Sequence, residues 1–214
     1  MRAGPSLLLV PLASLAGCEI DFTQAGTAVG NPTDMASHVA QAQGLDYTGA
    51  SARVSTLSAG TCAGQTTVYT LAETVDLLGA TSIPVPAGAW CSFTLTFESP
   101  VTLTGTSPSS GPFSLSLAVR AVTVKSATPV VTDDGPLVLE LGTPGWLTEA
   151  DLDPTGPGGA VDNPTLIKLE GTIASASTLF HDHDEDGVVD PEERDEGRLA
   201  EGEGSEEEED EDED

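Results

Sequence analysis

The sequence predicts an all-β protein, an antiparallel β-sandwich of about six to eight strands. Three observations carry this: Ser/Thr and apolar residues alternate with period two, 23 Gly and 15 Pro punctuate the runs, and no segment before residue 180 sustains a 3.6-residue period over three turns. With 38% hydrophobic and 4% aromatic residues the chain can bury one modest core, which predicts a single domain with appendages.

Residues 1–17 read as a secretory signal peptide, with Arg2, an apolar stretch from Ser6 to Ala16 and small residues at its end. The stretch is too short to span a bilayer, which takes about 20 apolar residues. Leu15-Ala16-Gly17-Cys18 resembles the lipobox of bacterial lipoproteins at all four positions. The resemblance implies diacylation of the Cys18 thiol, cleavage before it and acylation of the new amino terminus, giving a membrane-attached protein of the bacterial cell envelope. Glu19 in place of Asp implies the outer membrane, on its periplasmic side or at the surface. Residues 18–44 then read as a lipid-anchored tether, with at most one short helix starting at Thr33 or Asp34 and reaching Gln43.

The body, residues 45–180, holds the sandwich. Weaker strand signals lie at Ala52 to Leu57, Thr66 to Leu71 and Val101 to Thr104, and strict alternation runs from Cys91 to Phe97 and from Phe113 to Val119. The apolar phase then moves to Val122 and Val124, so a bulge or a strand crossing between faces is expected near Arg120-Ala121. Leu137, Leu139 and Leu141 alternate after the turn signal Asp133-Asp134-Gly135-Pro136. Ile167, Leu169, Gly171 and Ile173 read as the last strand, with Lys168, Glu170 and Thr172 outward, and Thr172 to Phe180 also reads as strand. Trp90 and Trp146 read as packing residues and not as ligand platforms.

With Cys18 assigned to the lipid, two cysteines remain, and an exported chain permits a Cys62–Cys91 disulfide. It closes a 30-residue loop, for which chain entropy gives roughly 3.5 kcal/mol. Their separation offers no C-x-x-C redox motif.

The formal charge is −28, with 7 Lys+Arg against 35 Asp+Glu, which excludes a nucleic-acid backbone as the main partner. Residues 181–214 hold 20 acidic and 2 basic side chains, so most of the excess sits at the C-terminus. There, Asp182 to Glu193 reads D-x-D-x-D-G-x-x-D-x-x-E and resembles the EF-hand calcium loop. The chemistry accounts for the spacing. Calcium takes six to eight hard oxygens, and Asp182, Asp184 and Asp186 offer carboxylates at positions 1, 3 and 5. Gly187 permits the sharp reversal, Val188 offers its carbonyl, Asp190 acts through a water, and Glu193 closes the site with both oxygens. Asp190-Pro191-Glu192-Glu193 supplies an N-cap, a Pro at N1 and a Glu at N3, starting an exit helix that runs toward Ala200 within the segment 181–200. EF-hands normally pair and carry an entering helix. Here one loop follows a strand, which predicts a Kd on the order of 10⁻⁴ to 10⁻³ M, as in extracellular modules.

His181 and His183 offer an alternative transition-metal site, with His38 too distant in sequence to assign as a third ligand. No G-x-S-x-G, H-E-x-x-H, Walker or dinucleotide glycine pattern is present. The sequence therefore favours a non-catalytic structural or binding module over a lipid-anchored hydrolase acting on carbohydrate from the sandwich face. Its partners would be calcium, the membrane and a protein or polysaccharide of the cell surface. Residues 201–214 are acidic without an apolar run and read as a disordered, solvating tail.

Overall fold

The computed structural model describes residues 33–132, 135–152 and 161–202. Cys18 with its signal peptide, residues 153–160 and the acidic residues 203–214 lie outside these. Eleven strands follow in chain order: β1 (Thr33–Val39), β2 (Asp46–Gly60), β3 (Thr66–Asp76), β4 (Leu78–Val85), β5 (Ala89–Phe97), β6 (Val101–Ser107), β7 (Gly111–Leu117), β8 (Ala121–Val131), β9 (Leu137–Leu141), β10 (Thr178–His181) and β11 (Ala200–Gly202). Helix α1 (Asn163–Ser175) precedes β10, and α2 (Pro191–Glu196) lies between β10 and β11.

The strands form one hydrogen-bonded sheet in the order β4-β1-β9-β10-β11-β8-β5-β2-β6-β7, with β3 on β2. Among the described residues these strands pair antiparallel except β1 with β9, and an isolated bridge, Gln43↔Thr148, is also parallel. The sheet folds over a single main core as a β-sandwich, so the predicted class holds with more strands than alternation alone suggests. Phe93, Leu95, Leu57, Leu103, Leu117 and Leu139 are among the side chains buried in that core.

How the sheet folds over is visible in three long stretches of chain. β2 pairs through Val54–Gly60 with β5 and through Asp46–Ser51 with β6. β5 runs on into β6, and β7 into β8, while β6 pairs with β7 and β5 with β8. All three stretches change partner at one level, where Phe97 N–H donates to the Arg120 carbonyl (2.8 Å) and Glu98 N–H to that of Arg53 (2.7 Å). The shift of apolar phase from Leu117 and Val119 to Val122 and Val124 falls at this level, so it marks the strand crossing.

Three expectations are corrected. The segment Ile167 to Ile173 is helical. Asp162 caps α1 by accepting from Thr165 N–H, Pro164 stands in its first turn, and Leu166, Leu169 and Ile173 face the core at helical spacing. Ile167, whose side of the chain suggested a strand, is 68% exposed. Thr33–Val39 is a strand and neither tether nor helix. It lies between β4 and β9 with both faces buried, which removes the alternation that would have revealed it. The exit helix stops at Glu196, where Gly197 takes φ +106°, and Ala200–Gly202 returns as β11, so the tail expected from residue 201 begins as strand.

The disulfide forms. Cys62 lies in the turn after β2 and Cys91 in β5, with Cα atoms 5.0 Å apart, beside the paired residues Gly60 and Ser92. Trp90 and Trp146 are buried as packing residues, their indole N–H groups donating to the carbonyls of Pro86 (3.0 Å) and Ala40 (2.9 Å).

Candidate metal centre

The 182–193 loop begins directly after β10, so the entering element is a strand, as the sequence suggests. Gly187 takes φ +77° and bends the chain back on itself. Its N–H donates to Asp182 Oδ2 (3.1 Å), which ties the sixth loop position to the first. Glu193 N–H and Glu192 N–H donate to Asp190 Oδ1, while Glu193 Oε2 accepts from Asp190 N–H (3.1 Å). This reciprocal capping box starts α2 and turns Glu193 inward. Glu193 Oε1 also accepts from His183 N–H (2.8 Å).

These bonds bring three of the expected ligands together. Carboxylate oxygens of Asp182, Asp184 and Glu193, loop positions 1, 3 and 12, all lie within 4.8 Å of one another. Asp182 and Glu193 are each 4% exposed, whereas Asp184 faces solvent. Asp182 Oδ1 is buried without a hydrogen-bond partner. An orphaned buried carboxylate oxygen costs free energy, and a cation is one way of satisfying it. Asp186 and Asp190 stand outside this cluster. Asp186 accepts from Val188 N–H (2.8 Å), and Asp190 Oδ1 is engaged in capping α2.

Electrostatics point the same way. Burial pushes the Asp182 carboxyl above the ordinary Asp value, and the neighbouring Asp186 and Asp184 charges add to this. Burial likewise raises Glu193, with Asp182 and Asp190 contributing. Positive charge placed among them would relieve both effects. A pocket of about 260 Å³ opens beside the loop, with Asp34, Asp182 and Glu185 in its lining.

The loop is fastened to the sheet. An added Cβ at Gly187 would overlap the Gly79 carbonyl of β4. Val189 packs with Ala36, Val138 and Phe180 in a second, small apolar cluster. Gly187→Ala therefore combines an unfavourable φ with a backbone clash and is expected to cost at least about 1–2 kcal/mol of unfolding free energy. Denaturant melts would read this as a shift in midpoint, and an unchanged midpoint would contradict the packing described.

A supporting network was not foreseen. His38 lies outside the carboxylate cluster. Its Nε2 meets Val189 N–H (3.2 Å) and stands 3.5 Å from Glu140 Oε1, and its Nδ1 lies 3.0 Å from the Val39 carbonyl. Glu140 of β9, 1% exposed, receives both terminal nitrogens of Arg194 from α2, with Nη1 at 2.6 Å from Oε2. Arg194 also lies over the Phe180 ring, 5.8 Å from its centroid. A charged residue inside the apolar run Leu137–Leu141 hints that it has a buried partner, but nothing in the spacing names Arg194. Of the two other histidines, His183 Nε2 meets Glu196 Oε2 at 2.5 Å, while His181, whose ring lies 5.7 Å from that of His183, has Nδ1 buried without a hydrogen-bond partner.

Comparison with known protein families, with curated proteins and with solved structures finds no match to this chain.

Proposed function

We propose that the protein is a lipoprotein of the bacterial cell envelope, anchored through Cys18, whose 182–193 loop binds one calcium ion and which acts as a non-catalytic structural or binding module. The observation that carries the calcium reading is the buried, unpartnered Asp182 Oδ1, in a carboxylate that lies with those of Asp184 and Glu193 within 4.8 Å. The donor set fits a hard cation, because every contributing side-chain atom is an oxygen. Asp182, Asp184 and Glu193 would hold the ion, and Asp186, the Val188 carbonyl and a water on Asp190 would complete six or more oxygens. Calcium would supply the charge that this acidic pocket lacks and so stabilise the folded chain by mass action. The anchor reading rests on the four lipobox residues Leu15 to Cys18, and the proposed outer-membrane address on Glu19 in place of Asp directly after them.

Calorimetric titration of the mature chain with calcium tests the reading. One site with a Kd on the order of 10⁻⁴ to 10⁻³ M is expected, weakened at least about tenfold by Asp182→Asn. A variant that binds as tightly as the parent would refute the assignment.

A further inference from the structure

We infer that the 182–193 loop is a calcium-dependent clasp for the seam between the two halves of the sheet, an inference that rests on the calcium reading above and adds a conformational consequence to it. The strand order places β4-β1-β9-β10 on one side and β8-β5-β2-β6-β7 on the other, joined in the ladder by the three residues of β11. β11 pairs with β10 through Thr178↔Glu201 and Leu179↔Ala200, and with β8 through Glu201↔Lys125 and Gly202↔Val124. Leu199 N–H donates to the Leu179 carbonyl (2.8 Å), and Gly202 N–H to that of Ser177 (2.8 Å). Gly202 sits so close to Ser175 that any Cβ would overlap the Ser175 carbonyl, which shows how tightly the strand is seated.

β10 and β11 are antiparallel neighbours, and the loop with α2 is the connection between them. The clustered carboxylates come from both ends of that connection. Asp182 and Asp184 follow β10 immediately, while Glu193 belongs to the helix that precedes β11. An ion held by all three therefore cross-links the two arms of the hairpin, as a short covalent bridge would. Only Gly197 and Arg198 separate α2 from Leu199, so the position of the helix sets the position of the strand. Such short edge pairing has little stability of its own, since three residues contribute few ladder bonds. The two halves are also joined through Leu77, whose N–H donates to the Ala50 carbonyl (2.9 Å) and whose carbonyl accepts from Val39 N–H (2.8 Å). Loss of the ion would thus open one seam and leave the halves attached elsewhere.

Linkage sets the size of the effect. At about 10 mM calcium and a Kd on the order of 10⁻⁴ to 10⁻³ M, an opening that breaks the site is suppressed by a factor of about 10 to 100. Amide hydrogen exchange on the mature chain, with calcium and with chelator, reads this residue by residue. Protection at Leu199–Gly202 and at the facing residues of β8 and β10 is expected to fall by about 10- to 100-fold without calcium, while the β2–β5 ladder is unchanged. Asp184→Asn, at a solvent-facing position, should show the open seam even with calcium present. If calorimetry shows calcium binding but seam protection is the same with and without it, the clasp is wrong and the binding reading stands. If no calcium binds, both fall.

Discussion

Arg194→Met is expected to lower the unfolding free energy by about 3–5 kcal/mol, the largest effect of any single substitution considered. Methionine keeps much of the side-chain bulk over Phe180 but leaves the Glu140 carboxylate, 1% exposed, without its guanidinium. The penalty is that of an uncompensated charge inside the sheet and not the net worth of the ion pair. A Glu140→Leu, Arg194→Met double variant should therefore recover most of the loss, because a well-packed apolar pair is often as stable as a buried ionic one. Acid titration gives a second reading. Burial alone would raise the Glu140 carboxyl, but the hydrogen bonds and charge of Arg194, joined by those of His38, outweigh it and hold the carboxyl below its ordinary value. A depressed folded-state pKa contributes stability above the unfolded value of about 4.3, and that stability is lost as pH falls through the folded value. The parent should lose this increment on acidification below about pH 4, and the double variant should not. A single variant within about 1 kcal/mol of the parent would contradict the network.

Removing the Cys62–Cys91 bridge by a double serine substitution is expected to cost roughly 3.5 kcal/mol, from the entropy of the 30-residue loop it closes in the unfolded chain. The bridge joins the turn after β2 to β5 beside an existing ladder pair, Gly60↔Ser92, so the folded strands need not rearrange when it is lost. The effect should appear as a lower denaturant midpoint, reproduced in the parent by reductant. A midpoint unmoved by either treatment would show that the bridge does not constrain the unfolded chain.

What the sequence conveyed depended on how each element is buried. β5 and β7 each bury one face, and their alternation was plain in Phe93-Thr94-Leu95 and Phe113-Ser114-Leu115. β1 is buried on both faces and includes Ser37 and His38, so its small polar residues resembled a tether. In α1 the apolar stripe is only Leu166, Leu169 and Ile173, and the exposed Ile167 completed a false strand period. A local signal for the helix does exist in the capping pair Asp162 and Pro164, which the period-two reading leaves out. β11 is three residues long and depends on its neighbours, so no local pattern could announce it.

The loop was legible because its spacing is a chemical constraint confined to twelve residues. Its Gly187 conformation, its Asp190 cap and the convergence of Asp182, Asp184 and Glu193 all follow from local sequence. The parts that were not legible are those supplied by distant chain. His38, Gly79 and Glu140 each hold the loop from another strand, across separations that spacing cannot encode.

The most direct test of the calcium loop is a titration of the mature chain with calcium followed by backbone amide resonances. It separates a built site from diffuse attraction to the acidic C-terminus, which a heat signal alone does not. Saturable shifts confined to residues 182–193 and the strands that hold them, complete at one calcium per chain, are the predicted result. Shifts spread over residues 203–214 without saturation, or a silent 182–193 loop, would contradict it.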